Sequence, residues 1–240
     1  GIEFDSRREK QAENLMKMFL SMVKDLRVII IKFADRLHNM RTIEYLPLIK
    51  QRRIAVETRD VYSPLAHRLG MFAIKSELDN LVLSVLEPDA YKEIEKLLKS
   101  TGSRRKRTLK EISEPIEKQM DQYNIGYTTK TRLKSHASIH NKMVSREKPF
   151  DEIYDIFALR ILVQDVAQCY TVLGLIHQVF TPVHERFKDF IATPKINGYQ
   201  SLHTTVIAPS GKMMEIQIRT EEMDQTAEIG VAAHWRYKEG

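Results

Sequence analysis

The residue types best suited to chemistry fall into three groups in the second half of the chain. The first is Arg132, Lys134, Ser138 and Lys142. In a helix opening after Lys134, positions 134, 138 and 142 recur every fourth residue and share a face, with Arg132 just upstream. Such a face beside a helix N-terminus suits a polyphosphate: lysines give point charges, arginine a planar fork, and free main-chain amides a partial positive charge. The same spacing also fits an ordinary solvated basic face. The second group is Asp155 and Glu215. Asp155 stands at the entry to the apolar run IFALRILV, an unusual place for a carboxylate unless it caps or binds something. Glu215 belongs to KMMEIQIRT, where Met214, Ile216 and Ile218 face one way and Glu215, Gln217 and Arg219 the other, toward a cleft or toward solvent at a sheet edge. If the two strands are neighbours, these carboxylates can share Mg²⁺, which takes one or two carboxylates alongside substrate phosphates.

The third group lies in RFKDFIATPKINGYQSLHTT, Arg186 to Thr205, which is far more polar than a core element needs. Tyr199 follows the flexible Gly198 and suits stacking on a base, a contact worth about 1–3 kcal/mol. Asn197 and His203 suit hydrogen bonds to a ribose or base edge, and Lys188 and Lys195 suit phosphates. A half-buried loop tyrosine and a satisfied strand histidine are the plainer readings.

Other chemistries find little support. The chain holds no GxxxxGK[ST] and no GxGxxG, so phosphates must be held by side chains rather than by a glycine-rich cradle. It has no GxSxG and no activated cysteine setting for acyl transfer. One cysteine, Cys169, excludes an intramolecular disulfide and a Cys-rich zinc site, and points to a reducing cytoplasm. No apolar run approaches the roughly 18 residues of a spanning helix, and no membrane partner is expected. A net charge of +6 tolerates anionic partners without choosing among nucleotides, nucleic acid and membranes. Part of that excess is the run Arg104 to Arg107, which reads as a solvated loop or helix end or, less simply, as a phosphate contact. A nucleic-acid binder would rest on that charge alone.

The elements that must position these groups follow from periodicity. With 42% hydrophobic residues in 240, the chain can build real cores. From about Asp5 to Leu86 the pattern is helical, with Leu15, Met18, Phe19 and Met22 on one face and Pro47 and Pro64 as breaks, and DAYKEIEKLLKS adds a helix. After Gly126, GYTTKTRLKS reads as a strand, SHASIHNKMVS as a helix, YDIFALRILV as a buried strand and QCYTVLGLIHQVF as a helix. HTTVIA and KMMEIQIRT read as a hairpin around Pro209, Ser210 and Gly211. The succession predicts an all-α part at 1–88 and, at 89–240, a mixed sheet flanked by helices, of the α/β or α+β kind.

Five stretches together carry a resemblance. TRLKSHASIHNKM, YDIFALR, RFKDFIATPKINGYQSLHTTV, EIQIRT and VAAHWRYKEG resemble the successive motifs of RelA/SpoT-type (p)ppGpp synthetases. The resemblance implies an α+β, nucleotidyltransferase-like mixed sheet that moves the β,γ-pyrophosphate of ATP to the 3′-hydroxyl of GDP or GTP. It implies that Arg132, Lys134, Ser138 and Lys142 serve ATP, and that Asp155 and Glu215 carry Mg²⁺, with Glu215 also activating the hydroxyl. It further implies that Lys188, Lys195, Asn197, Tyr199 and His203 bind the guanine nucleotide. The RFKD spelling resembles the bifunctional synthetase-hydrolases, in which that form accompanies a GDP preference. Thr131, Ser135 and Ala137 depart from the Gly, His and Tyr usual around the first motif. Ribosome and tRNA sensing belong, in the family, to regions outside this stretch.

KFADRLHNMRT, Lys32 to Thr42, resembles the last metal-ligand segment of the family's HD hydrolase domain, which would make Asp35 a vestigial Mn²⁺ ligand and place Asn39 near substrate. His38 and His67 are the only histidines before residue 136, and no His-Asp dipeptide occurs, so the helical part reads as an incomplete HD remnant. Two other outcomes stay open: a guanine-nucleotide-binding module without turnover, and an Mn²⁺-dependent hydrolase if missing ligands are supplied.

Overall fold

A computed structural model describes residues 26–230. The helical face at Leu15 to Met22 and the closing motif at 231–240 lie outside the described residues. Helices α1 (Leu26–Arg41), α2 (Leu48–Glu57), α3 (Ser63–Arg68) and α4 (Phe72–Leu86) form the first part. Pro47 precedes α2 and Pro64 opens α3, where a proline's missing N–H costs nothing. Phe33, Met40, Ala55, Leu65 and Leu78 make its core.

Helix α5 (Pro88–Ser100) leads directly into α6 (Gly102–Gln122), a helix the periodicity reading passed over. Pro115 in its interior and the basic run in its first turns obscure the pattern, yet Ile112, Ile116 and Met120 recur every fourth residue and are fully buried. Arg104 pairs with Asp151 at 2.6 Å, and Arg105 donates to Leu98 O at 2.8 Å, so the basic run is a helix start rather than a loop.

The second part contains β1 (Tyr127–Leu133), α7 (His136–Arg146), β2 (Phe157–Val163) and α8 (Val166–Val179). It continues with β3 (Lys188–Asp189), β4 (Leu202–Ile207), β5 (Met213–Thr220) and α9 (Glu221–Ile229). The sheet order is β1-β2-β5-β4-β3, with β2 and β5 parallel and every other pairing antiparallel, which is the mixed α+β sheet expected. The β4–β5 hairpin closes where predicted: Ala208 N–H donates to Lys212 O and Gly211 N–H to Ala208 O, both at 2.8 Å, with Gly211 at φ +75°. Short β3 and helix α9 were not foreseen.

Strand alternation gives the sheet two unlike faces. Leu159, Ile161, Leu202, Ile216 and Ile218 pack on Ile112 and Ile116 of α6 and on Cys169, Val172 and Ile176 of α8. The other face presents Lys130, Arg160, His203, Glu215, Gln217 and Arg219. β5 runs between β2 and β4, so Glu215 is on a central strand and the solvent-edge reading of its polar row does not hold. Among the described residues no helix is long and apolar enough to cross a membrane.

Candidate functional site

Over the polar face of the sheet lies a cavity of about 1070 Å³, at the upper end of the range for small-molecule pockets. Its floor is β1, β2, β4 and β5, while α4 of the helical part and α7 wall it. Arg132, Lys134, Ser138 and Lys142 all line it. Ser135 N-caps α7, its Oγ accepting the Ser138 amide at 3.2 Å and donating to Ser138 Oγ at 2.8 Å. The polypeptide thereby enters α7 with Lys134 on the side that Ser138 and Lys142 share. Both lysines converge on Asp155 Oδ2, Lys134 at 2.9 Å and Lys142 in a tighter contact. The α7 N-terminus is less open than expected. The Ala137 amide is taken by Asn80 Oδ1 of α4 at 3.0 Å and the Ser138 amide by Ser135, so side-chain cations rather than free amides face the cavity.

Asp155 sits in the turn just before β2, 4% exposed. Burial alone raises its carboxyl, but Lys134 and Lys142 outweigh that and hold it below the usual carboxylate range. Burial and the neighbouring Lys134 lower Lys142 against the opposing pull of Asp155. Because β2 and β5 pair in parallel with Ala158 opposite Glu215, Asp155 from the turn before β2 and Glu215 on β5 line the same cavity. Glu215 Oε1 accepts from Gln217 Nε2 at 2.7 Å and lies 3.9 Å from His203 Nδ1. Asp155 Oδ1 is buried without a hydrogen-bond partner, an oxygen available to a hard cation. Among the described residues no three His, Cys, Asp or Glu gather, so protein ligands to a metal here number at most these two carboxylates, which is how Mg²⁺ is commonly held beside phosphates.

On the acceptor side Lys188, Lys195, Tyr199 and His203 line the cavity. Tyr199 is 7% exposed, more enclosed than a loop aromatic. Phe72 of α4, Phe190 and His203 meet its ring edge-on at 5.7, 6.0 and 5.8 Å between centroids. Its hydroxyl and His203 Nε2 are 2.8 Å apart. Burial pushes His203 down to about 4, with Glu215 opposing and Lys195 adding to the effect, so the imidazole is neutral at pH 7. Lys195 Nζ lies 4.5 Å from the Phe190 ring centroid, and burial and Lys188 lower its ammonium against Glu215. Asn197 is not brought into the cavity. Its Nδ2 donates to His67 O at 3.2 Å, and its Oδ1 accepts the Tyr199 amide at 3.3 Å, tying the loop to the helical part.

Several cavity residues escaped the sequence reading. Arg219 is wholly buried, with Nε, Nη1 and Nη2 lacking hydrogen-bond partners and Cζ 5.7 Å from the Tyr199 ring centroid. Arg186 stacks over the Tyr154 ring at 3.5 Å. Arg160, Lys130, Phe72 and Lys75 also line the space. Only the polar alternation of β5 had hinted at Arg219; the helical residues carry no local signal, because α4 reaches the cavity through tertiary packing. Asp35 lies elsewhere, on α1, where it accepts from Asn39 at 3.3 Å on an exposed face.

Comparison with known proteins finds relatives of both parts of the chain. Residues 131–240 match a region found in RelA / SpoT proteins, and residues 3–72 match an HD domain. The chain is 50% identical over 238 residues to the bifunctional (p)ppGpp synthase/hydrolase SpoT of Escherichia coli (strain K12), covering 99% of this chain and 34% of that protein. It is 48% identical over 229 residues to the GTP pyrophosphokinase of Streptomyces coelicolor, covering 95% of this chain and 27% of that protein. It thus spans about a third of the length of the curated relatives it matches. Small alarmone synthetase 1 from Bacillus subtilis, solved with its product pppGpp, is 28% identical across 62% of this chain and 83% of its own, with a TM-score of 0.44, too loose a superposition to argue from. With four of the five motifs contributing to one cavity and near-50% identity along the whole stretch, the chain belongs to the RelA/SpoT family.

Proposed function

We propose that the chain transfers the β,γ-pyrophosphoryl group of ATP to the ribose 3′-hydroxyl of GDP or GTP. The observation that supports this most is that one cavity gathers the cations Arg132, Lys134 and Lys142, the carboxylates Asp155 and Glu215, and the acceptor group Lys188, Lys195, Tyr199 and His203. In this reading Arg132, Lys134 and Lys142 hold the ATP phosphates, and the phosphates take over the ammonium groups that now meet on Asp155. Tyr199 offers its ring to the guanine base, while Lys188 and Lys195 hold the acceptor's phosphates. The 3′-oxygen forms a bond to the β-phosphorus, the bond from that phosphorus to the α-phosphate oxygen breaks, and AMP departs. The hydroxyl proton passes to Glu215, which needs no further base in reach. Asp155 and Glu215 would hold Mg²⁺, whose chemistry when bound is to offset charge on the transferring group. Most of the acceleration then comes from alignment and charge complementarity.

The division into a helical part to residue 88 and a transferase part from 89, and the GDP preference suggested by RFKD, belong to the same proposal. Incubating folded protein with ATP, Mg²⁺ and either GDP or GTP, with products separated by anion exchange, tests it. AMP and a 3′-pyrophosphorylated guanosine nucleotide are expected, faster with GDP. Failure to bind or convert either nucleotide overturns it, and GDP binding without product would make the cavity a regulatory binding site. Hydrolysis appears in the names of several relatives, but among the described residues no group of three His, Cys, Asp or Glu that could hold a metal gathers around Asp35 on its exposed helix face. Mn²⁺-dependent release of pyrophosphate from ppGpp is therefore not expected from this chain, and its appearance would reverse that view.

A further inference from the structure

Asp224 lies behind the cavity wall, yet it touches three residues that form it. Thr220 caps α9 by accepting the Met223 amide at 3.2 Å, which sets Asp224 in the first turn, where the positive end of the helix favours an anion. The residue is 5% exposed. Its Oδ1 meets Arg160 Nη1 at 2.9 Å and Arg219 Nη2 at 2.7 Å, and its Oδ2 accepts from Lys130 Nζ at 2.9 Å. One turn on, Glu228 gives Arg160 a second anchor at 3.0 Å.

The three cations come from β1, β2 and β5, and Lys130 stands directly opposite Arg160 in the β1–β2 register. Like charges placed opposite each other destabilise a sheet unless a counter-charge lies between them. Asp224 is that counter-charge. All three cations line the cavity; Arg160 Nε and the Nε, Nη1 and Nη2 of Arg219 are buried without hydrogen-bond partners, Arg219 meeting Asp224 as an ion pair only. A guanidinium held at one nitrogen by a carboxylate is restricted in position, and its remaining N–H groups are left to a different acceptor.

We propose that Asp224 is a positioning residue for nucleotide binding: it fixes Lys130, Arg160 and Arg219 so that the free guanidinium edges meet an acceptor-rich ligand in the cavity. The ligand class rests on the pyrophosphotransferase reading, with ATP as the nucleotide nearest β1 and β2. Asp224 thereby acts on the site without itself lining the cavity.

The test compares Asp224→Asn, Asp224→Glu and, as a control for net charge, the exposed Glu222→Gln of the same helix. Circular dichroism and thermal melts establish folding, calorimetry gives affinity for ATP and for GDP, and steady-state kinetics separate KM from kcat. In folded Asp224→Asn, affinity for ATP should fall and KM for ATP rise by about tenfold, as small misplacements of binding groups commonly cause. Asp224→Glu should recover most of the loss, and Glu222→Gln should match wild type. A merely structural role would lower the melting temperature and the active fraction while leaving KM unchanged, and that result overturns the proposal. If Asp224→Asn does not fold, Glu228→Gln decides, removing the second anchor of Arg160 together with a negative charge that lines the cavity: ATP binding weaker by a few-fold, against the gain that loss of the charge alone would give, supports the proposal, and wild-type or tighter binding overturns it. Wild-type protein that binds neither ATP nor GDP would sink the nucleotide reading itself, an outcome distinct from wild-type binding that Asp224→Asn leaves intact.

Discussion

Burial rather than a charged partner sets the state of His203. Desolvation takes it down to about 4 although Glu215 pulls the other way, so Tyr199 meets a neutral imidazole at pH 7. Its imidazole resonances, followed by NMR, should titrate near pH 4, and a midpoint near the ordinary 6.5 would contradict the enclosed geometry. At Glu215 the account predicts that Glu215→Gln keeps GDP affinity while turnover falls by about 10²-fold or more, since proton transfer by a placed base is worth that much. Undiminished turnover, measured alongside calorimetric GDP binding, would remove Glu215 from its role as base. These residues were legible in the sequence because their spacing is local: Lys134, Ser138 and Lys142 by helical period, Glu215 by strand alternation, Asp155 as a charge at the mouth of an apolar run. Asn197 was misjudged for the complementary reason. Its loop could be read from sequence, but its partner, the carbonyl of His67, lies 130 residues away.

Elements explain what the residues cannot. Helix α4 brings Phe72 against the Tyr199 ring and Asn80 against the Ala137 amide of α7, so a helix that begins where the HD match ends shapes both halves of the cavity. Phe72→Ala should weaken GDP binding several-fold, in keeping with about 0.5–1.5 kcal/mol for an edge-on aromatic pair, and leave ATP binding near wild type by calorimetry. Equal losses for both nucleotides would mean general loosening instead. Gly230, at the end of α9, packs where the α3–α4 turn passes: a Cβ there would sit 2.4 Å from Leu69 O and 2.5 Å from Gly70 C, at a backbone φ of +59°. Gly230→Ala should therefore destabilise the fold by about 1–3 kcal/mol, read from urea unfolding, and an unchanged midpoint would contradict the packing. The sheet and its hairpin were readable from alternation and turn residues. Helix α6 was hidden by Pro115 and its basic start, and α9 by its shortness, although Thr220 before three acidic residues is a capping signal that sequence alone contains.

At the scale of the molecule, an apolar sheet face buried on α6 and α8 leaves the opposite face free to be polar, and an excess of cations collects there around a few buried carboxylates. That arrangement makes stability depend on pH in one direction. Asp155 and Asp224 are held below their ordinary value of 3.8 despite burial, so their contribution is complete above that value and is lost as pH falls through their lower folded values. His203 titrates at about 4 rather than 6.5, so its contribution is complete above about 6.5 and declines as pH falls toward 4. The urea midpoint should hold above pH 7, drop between about 6.5 and 4, and drop again below; a flat profile from 7 to 4 would contradict the enclosed histidine. The central claim, that donor and acceptor halves share one cavity and exchange a pyrophosphoryl group, is tested most directly by supplying ATP labelled at its γ-phosphate together with GDP and Mg²⁺. The label should pass to the guanosine nucleotide with one AMP formed for each transfer. Label released as free phosphate with ADP, or no transfer by protein that binds both nucleotides, would contradict it.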